Sequence, residues 1–398
     1  MKKEPSLALR RTSISVFFFI HGFCFSTWAS RIPNIQQHLH LNEAGLGAVL
    51  FALPIGSFVT VPFSGWLAAK YGSKILVWIT ALIYACLLSC IGWSSTAWQI
   101  VVSLFLFGSA GNMCNIAFNT QAIALEKMYG RKIMSSFHGI WSVAGLIGAG
   151  IGAMMMGMGV LTEYHFLIIT TIALILVFIC RPLLLEERGQ QQQRRALFSR
   201  PEGIIVVLGF IAFCSMMCQG AMFDWTGVYF KKVLNAGAGW IGAGYTGFML
   251  SMAAFRFLAD WITQQIGLKK VLIWSGLFTG CGLLLMIIFP NLVIGIIGSV
   301  IVGIGVSAVV PLVFSAVAQS KAMPTPVAIA AVSTVGFVGL LIGPPMVGFI
   351  AASLGLKTSF LILAIIGFMV SILSLNVKYD IADVSESIDS PLADLMPE

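Results

Sequence analysis

The chain has 398 residues, of which 58% are hydrophobic and only 10% are charged, and its net charge is +8. Soluble domains have about a quarter charged residues, so this composition excludes a largely water-exposed surface. The basic residues lie in short segments between apolar runs and form no single patch, which excludes nucleic-acid binding and indicates a membrane protein.

Twelve apolar runs account for most of the chain. Crossing a bilayer core of about 30 Å takes about 20 helical residues, and each run is near that length. Helices are expected because open strand edges are not tolerated in lipid. The predicted spans are residues 14–31, 44–66, 75–96, 98–125, 133–160, 163–181, 203–230, 239–262, 271–289, 292–318, 326–352 and 358–378.

The connections between these runs differ in their content of lysine and arginine. The terminal segments and every second connection hold eighteen basic residues, whereas the other connections hold four. Basic loops stay in the cytoplasm, so both termini are expected there. The eighteen are Lys2, Lys3, Arg10, Arg11, Lys70, Lys74, Lys127, Arg131, Lys132, Arg181, Arg188, Arg194, Arg195, Arg200, Lys269, Lys270, Lys321 and Lys378; the four are Arg31, Lys231, Lys232 and Lys357.

A hydrophilic stretch at 186–202, with four consecutive glutamines, divides the spans six and six. It is interpreted as a cytoplasmic linker. The predicted organisation is an N-terminal six-helix bundle at 1–185, the linker, a C-terminal six-helix bundle at 203–378 and an acidic cytoplasmic tail at 379–398.

Short motifs recur at a shift of 195 residues. Residues 65–74, after the second span, and residues 260–269, after the eighth, have Trp, Gly and Lys at matching positions. At the same shift Gly108 falls on Gly303. The repeat predicts an all-α polytopic membrane protein in which a six-helix unit is duplicated, an architecture known among transporters.

Residues 65–74 resemble the loop signature between helices 2 and 3 of the major facilitator superfamily, although Ala69 stands where that family usually has an acidic residue. With the repeat and the topology, the chain resembles the superfamily over essentially its whole length. Residues 28–33, 137–142 and 220–225 are similar to stretches of a bacterial branch that includes the YbjJ-type inner-membrane proteins. The resemblance implies two six-helix bundles related by a pseudo-two-fold axis, with a solute site between them. It also implies a location in a bacterial inner membrane.

Asp224 lies well inside the seventh apolar run, where an ionisable group is costly and is a functional candidate. Low dielectric favours the neutral carboxyl group, so Asp224 is suited to binding and releasing a proton. The alternative is a permanently ionised partner of Arg31 in an extracellular gate. His21 and His138, in the first and fifth spans, either relay protons or bond neighbouring helices as neutral imidazoles.

Charged residues near the ends of spans are interpreted as gating groups. Arg256 and Asp260 are four residues apart on the eighth span and share a helix face, which predicts a structural or gating ion pair near its cytoplasmic end. Glu126, at the foot of the fourth span beside Lys127, is interpreted in the same way. The predicted gating residues are Arg31, Lys70, Lys74, Glu126, Arg256 and Asp260.

Three asparagines of the fourth span, Asn112, Asn115 and Asn119, follow helical spacing and share one face. The corresponding positions of the tenth span hold Ser307, Val310 and Phe314, so the amide stripe belongs to one half only. Amides also bond helices together in membranes, at about 1 kcal/mol each, but a fold requirement would apply to both halves. The asymmetry therefore favours a substrate site.

Amide, histidine and tryptophan side chains suit a polar, largely uncharged ligand, because amides bond hydroxyl groups and aromatic rings pack on the apolar face of a sugar. A sugar or sugar derivative is the first substrate class, and a small zwitterion or organic acid, held by Arg31 or a histidine, is the second. The predicted substrate-binding residues are Asn112, Asn115, Asn119, Trp28, His21, Trp141, Gln219 and Trp225, and the predicted proton-coupling residues are Asp224 and His138.

The sequence has no nucleophile, metal-ligand set or carboxylate pair at membrane depth, which argues against an enzyme, a metal site or any cofactor. It also has no phosphate-binding loop, which argues against ATP-driven transport. The expected function is secondary transport of a small solute by a monomer in the bilayer, with protons as a candidate partner. An uncoupled facilitator, a drug transporter and a receptor descended from a transporter are the alternatives.

Overall fold

The computed structural model describes residues 5–130, 133–186, 203–319 and 325–377. Within these ranges nine side chains are not described, those of Ala69, Ser135, Asp260, Ala318, Gln319, Thr325, Pro326, Val327 and Ala330. The described ranges contain fourteen α-helices and no strand, so the predicted all-α class is confirmed. The linker and the tail predicted at 186–202 and 379–398 lie almost wholly outside the described residues.

Seven helices precede residue 186. The first crosses most of the molecule and is followed by a short helix that opens with Pro33 in its first turn, a position where proline is tolerated because its missing N–H would have no partner. The helices are α1 (Leu7–Ser30), α2 (Ile32–His38), α3 (Glu43–Tyr71), α4 (Ser73–Gly92), α5 (Ala97–Tyr129), α6 (Met134–Gly157) and α7 (Thr162–Cys180).

Seven helices follow residue 203. The predicted tenth span is two helices rather than one, because Ala308 interrupts the helical ladder between them. The helices are α8 (Ile204–Lys232), α9 (Ala243–Ile266), α10 (Leu268–Ile288), α11 (Leu292–Ser307), α12 (Val309–Gln319), α13 (Thr325–Leu354) and α14 (Leu356–Ser374).

Eleven helices or helix pairs in the described ranges are long and apolar enough to cross a membrane. Helix α9 falls short on composition, since it carries Arg256, Asp260 and two glutamines. It nevertheless has 24 residues, about 36 Å of helix, and it packs between α6 and α11. With α9 the crossing elements number twelve, which agrees with the count expected from the sequence.

The 195-residue repeat is visible in the backbone. Gly72 ends α3 with φ 84° and ψ 146°, and Gly267 ends α9 with φ 85° and ψ 150°, a left-handed region that glycine adopts without strain. Each glycine N–H donates to the carbonyl four residues earlier, that of Ala68 or Thr263. The two turns are therefore the same structure at equivalent positions.

A second equivalence lies inside the membrane region. A methyl group at Gly108 would collide with the carbonyl oxygen of Leu53, and one at Gly303 would collide with that of Phe248. All four positions are related by the same shift of 195 residues. Glycine permits the close contact of α5 with α3 in one half and of α11 with α9 in the other.

The two sides of the molecule differ in how the halves meet. We call the side at which α3 ends, near Lys70 and Lys74, the basic side, and the other the opposite side. On the opposite side, α3 and α13 are in close contact at Gly348. A methyl group added there would lie only 2.6 Å from the carbonyl oxygen of Glu43 and 2.7 Å from Cα of Gly47. The halves are thus closed together on the opposite side.

On the basic side the last turns of α3 are uncovered. Between Phe58 and Trp66, seven of nine side chains are exposed, and at 100° per residue they span more than half of the helix circumference. One lipid-facing stripe would occupy a narrower arc. The inner face of α3 therefore borders a space that opens towards the basic side.

Candidate functional site

The amide stripe of α5 separates into two parts. Asn112 Nδ2 donates to Thr60 Oγ1 and Ser64 Oγ of α3, at 3.3 Å each, so its amide holds two helices of the same half together. Asn115 is exposed and Asn119 is half-buried, and Asn119 Nδ2 donates to the Asn115 carbonyl oxygen at 2.8 Å. Among the described residues, these two amides bond each other and make no hydrogen bond to a neighbouring helix.

Helical geometry gives the direction in which Asn115 and Asn119 face. On one flank, Phe118 packs on Phe18 of α1, with ring centroids 4.2 Å apart, and on the other flank Asn112 reaches α3. Asn115 and Asn119 lie on the arc between these flanks, away from the lipid-facing side of α5. They therefore line the space between the halves.

Asp224 lies on α8, between two residues in close contact with other helices. Gly220 packs on Leu340 of α13, and Gly227 packs on Pro33 of the N-terminal half. The half-buried carboxyl group has no hydrogen-bond or ion-pair partner among the described residues, and it lies within electrostatic range of Tyr245. Gln219, one and a half turns earlier, is also half-buried and lacks a hydrogen-bond partner in the described part of the chain.

A hydrogen-bonded link joins three helices near Asp224. Ser26 Oγ of α1 donates to the Gly145 carbonyl oxygen of α6 at 2.6 Å, and the Tyr245 hydroxyl of α9 donates to Ser26 Oγ at 3.0 Å. Serine has one hydroxyl hydrogen, so the tyrosine must be the second donor, and its own oxygen remains able to accept. Phe223 of α8 packs edge-on against Tyr245, with centroids 6.2 Å apart.

His21 has protein partners at both ring nitrogens. Trp141 Nε1 donates to His21 Nδ1 at 3.0 Å, and His21 Nε2 lies 3.1 Å from the Gly111 carbonyl oxygen, to which it donates. This pair of bonds requires a neutral ring with its proton on Nε2. His21 therefore connects α1, α5 and α6, and neither nitrogen is free for a ligand in this conformation.

Two of the three predicted tryptophans, Trp28 and Trp225, lie in the core. Trp28 is 1% exposed and Trp225 is 0% exposed, and Trp225 Nε1 donates to the Pro344 carbonyl oxygen at 3.1 Å. Neither ring presents surface to a ligand in this conformation. Trp141 is half-buried and its ring lies 6.5 Å from that of Phe25, which in turn packs edge-on against Phe223 of the other half, so Trp141 borders the interface between the halves.

Arg31 lies between α1 and α2 on the opposite side and is 1% exposed. Its Nε donates to His165 Nδ1 at 3.1 Å, and its Nη2 donates to the Val160 carbonyl oxygen at 2.9 Å. These partners belong to the N-terminal half, so no Arg31–Asp224 pair is present in this conformation. An open pocket of about 560 Å³ lies beside Arg31 and includes Glu163 in its lining.

The remaining predicted gating residues lie near the basic side. Lys70 Nζ lies 4.7 Å from the ring centroid of Trp66, and Lys74 Nζ lies 3.0 Å from Glu186 Oε1. Glu126 Oε2 accepts from the backbone N–H groups at the start of α6, those of Ile133 and Met134, and so caps that helix. The side chain of Asp260 lies outside the described set.

Arg256 reaches from one half to the other. Its Nη1 donates to Ser142 Oγ of α6 at 3.2 Å, and it lies within electrostatic range of His138 on the same helix. The next residue of α9, Phe257, packs on Gly139. Arg256 and His138, predicted from different spans, are thus brought together at the contact between the halves.

Sequence reasoning missed Tyr245, Ser26 and Ser142. Hydroxyl groups are common in transmembrane helices and carry no distinctive pattern. A weak signal was present in α9, where Tyr245, Met249, Met252 and Arg256 follow helical spacing and define one face. The structure places that face against α1 and α6.

Comparison with known proteins agrees with this fold. The profile described as Major Facilitator Superfamily matches residues 14–317 and, in an overlapping match, residues 234–388. The chain is 31% identical over 357 residues to an uncharacterized MFS-type transporter of Yersinia pestis, covering 90% of this chain and 92% of that protein. The chain therefore belongs to the major facilitator superfamily and is a multi-pass membrane protein of the MFS transporter class.

Solved structures share the fold at low sequence identity. The nucleoside transporter NupG is 16% identical with a TM-score of 0.74, covering 94% of this chain and 100% of that chain. A D-xylose-proton symporter is 12% identical with a TM-score of 0.72, covering 93% and 97%. At these identities the likeness shows the fold alone.

Proposed function

We propose that the protein is a secondary active transporter that moves a small polar solute, a sugar or sugar derivative, by alternating access. The observation that carries the proposal is a set of polar side chains on the interface between the halves, Asn115, Asn119, Gln219 and Asp224, that bond no neighbouring helix in the described structure. Polar groups at membrane depth are costly unless they are paired or serve a ligand.

The types of these side chains support a polyhydroxylated solute. Amide groups donate to and accept from hydroxyl groups, and the free lone pair of Tyr245 adds an acceptor. Trp141 and the neighbouring Phe25 supply aromatic faces for the apolar side of a sugar ring. The solved neighbours include a nucleoside transporter and a D-xylose-proton symporter, and a nucleoside contains a sugar while xylose is one.

Proton coupling through Asp224 is the second part of the proposal. An unpaired carboxyl group in a region of low dielectric favours protonation, and movement of the halves changes its surroundings. His21 is less suited to this role because protein partners occupy both ring nitrogens. His138 retains its place as a candidate because its side chain is exposed beside Arg256.

The orientation is proposed from charge. With the basic side in the cytoplasm, eighteen basic residues of the connections and termini lie inside and four outside, which follows the positive-inside rule in a bacterial inner membrane. The conformation described here then opens inward. Domains at 1–185 and 203–378, a monomeric state and kinship with the YbjJ-type branch belong to the same proposal.

The test uses purified protein in liposomes. A thermal-shift screen with galactose, xylose and uridine comes first, and the solute that stabilises the protein most is then radiolabelled. Wild-type protein is expected to show counterflow of the label and uptake driven by an inward proton gradient. Asp224→Asn should keep counterflow and lose gradient-driven uptake, whereas Asp224→Glu should retain part of both.

Each alternative gives a different result. An uncoupled facilitator shows counterflow with no effect of the gradient in wild-type protein. A receptor binds the solute and shows no counterflow. If no sugar or nucleoside is bound while short organic acids are, the proposed substrate class is wrong.

A further inference from the structure

One face of α9 packs against the N-terminal half, and the last residue on that face is the cation Arg256. Tyr245, Met249, Met252 and Arg256 share this face, with Tyr245 bonded to Ser26 of α1. Met249 packs directly against Gly145 of α6, and Met252 is fully buried. Arg256 is therefore held at the interface between the halves by three side chains that precede it on the same face.

The guanidinium group of Arg256 is incompletely satisfied. It has five N–H donors, and its hydrogen-bond partner among the described residues is the neutral hydroxyl of Ser142. No described carboxylate lies within ion-pair distance of it. A half-buried cation that keeps several donors unused at membrane depth is costly, and an anionic ligand would offset that cost.

Arg31 is an instructive contrast within the same chain. It is more deeply buried, but a histidine nitrogen and a backbone carbonyl accept from two of its nitrogens, both from its own half. Its partners are fixed parts of the fold. Arg256 instead bonds one hydroxyl across the interface that must change when the halves move, so its environment favours an exchangeable partner.

The surroundings of Arg256 also favour a negative group. His138, within electrostatic range of Arg256, is exposed and comes from the other half. Neutral histidine donates one hydrogen bond. Arg256 and His138, one from each half, can therefore both donate to the same carboxylate. The planar guanidinium group matches a carboxylate with two parallel bonds.

We propose that Arg256 is a binding residue for a carboxylate on the transported solute, which makes the substrate an acidic sugar derivative such as a uronic or aldonic acid. The proposal rests on the proposed transport of sugars and deepens it. Asn115, Asn119 and Gln219 then bind hydroxyl groups, and Arg256 with His138 binds the carboxylate between the halves. Asp224, on α8, remains near Tyr245, at the other end of the α9 face from Arg256.

The experiment compares three probes, D-galacturonate, D-galactose and lactate, on the purified full-length protein by thermal shift and by counterflow. The variants are Arg256→Gln, Arg256→Lys and, as a control, Lys270→Gln. Wild-type protein should bind galacturonate at least about 10-fold more tightly than galactose, because one charge-assisted hydrogen bond accounts for a factor of that size. Arg256→Gln should remove this preference while leaving the weaker affinity for galactose within about 2-fold.

Arg256→Lys should recover part of the preference for galacturonate, because lysine keeps the positive charge. The recovery should be incomplete because lysine cannot form the bidentate hydrogen bonds of a guanidinium group. Lys270→Gln removes an exposed cation on the basic side and should leave the preference unchanged. If Lys270→Gln instead abolishes galacturonate binding as Arg256→Gln does, or if Arg256→Gln weakens both sugars equally, the carboxylate site at Arg256 is wrong.

The remaining outcomes separate this inference from the proposed function. Binding of galactose alone, unchanged in Arg256→Gln, overturns the carboxylate site and leaves sugar transport standing. Binding of lactate alone, lost in Arg256→Gln, supports the carboxylate site and overturns the sugar proposal. Binding of none of the three probes overturns the acidic-sugar assignment together with the sugar proposal.

Discussion

Lys232 Nζ, at the end of α8, lies 2.7 Å from Glu43 Oε1, at the start of α3, and so an ion pair joins the two halves on the opposite side. The neighbouring Lys231 Nζ donates to the Pro33 carbonyl oxygen at 3.3 Å and to Gln37 Oε1 at 2.5 Å. These bonds depend on the halves being closed together there. Opening of that side must break them.

Glu43→Gln is expected to shift the protein towards the conformation open on the opposite side. The ion pair is partly exposed, and such pairs contribute about 0.2 to 1 kcal/mol, which corresponds to at most a factor of about 5 in the populations. The measurement is the distance distribution between spin labels at the exposed His38 and Lys357, one in each half. Higher salt should reduce the difference between variant and wild type, and an equal effect at both salt concentrations would count against the ion pair.

Gly348→Ala should prevent full closure of the opposite side. The added methyl group would stand 2.6 Å from a backbone oxygen of α3, which cannot move aside as a flexible side chain can. Transport should fall at least about 10-fold, with the spin-label distance lengthened. Gly150→Ala is the matched control, because a methyl group there has nothing within 4 Å; equal behaviour of the two variants would refute the contact as the cause.

The asparagines of α5 should separate into structural and ligand-binding residues. Asn112→Ala removes two bonds to α3 and should lower stability by about 1 kcal/mol, seen as a lower Tm, with solute affinity little changed. Asn115→Ala and Asn119→Ala should weaken solute binding about 5- to 10-fold with little change in Tm. If Asn112→Ala instead weakens solute binding, and Asn115→Ala and Asn119→Ala only lower the Tm, the ligand lies against α3.

His21 is expected to stabilise the N-terminal half and to take no part in proton coupling. His21→Gln should lower the Tm, because the His21 ring, on α1, is hydrogen-bonded to Trp141 of α6 and to Gly111 of α5. The dependence of gradient-driven uptake on external pH should keep the wild-type shape in this variant. A displaced pH profile would mean that the ring titrates during the cycle.

Much of the fold follows from the sequence. Apolar runs and basic connections predict the crossing helices, and the matched Gly72 and Gly267 predict two turns that prove identical in the structure. The short helix α2 and the break at Ala308 were not predicted, because both lie within stretches whose composition suits a continuous run. Local packing decides those details.

The site was less predictable than the fold. Trp225 and Asn119 both looked suited to a ligand, yet one is enclosed by the core and bonded to a backbone carbonyl while the other borders the interface. Spacing tells which residues of a helix share a face and does not tell which neighbour that face meets. Arg256 shows the limit clearly, since spacing paired it with Asp260, whose side chain is not described, and gave no sign of its hydrogen bond to Ser142 of the other half.

The polar composition of α9 also bears on how the protein is made. A charged side chain at the middle of a span raises the free energy of insertion by about 2.5 to 3.5 kcal/mol. Helix α9 is therefore poorly suited to move from the translocon into the bilayer by itself. Its contacts with α6 and α11 belong to spans synthesised before and after it. The biogenesis of this protein is therefore expected to pass through a stage in which α9 is integrated only after later helices have been made, and Arg256, the residue proposed to bind the solute, is the one that delays membrane integration.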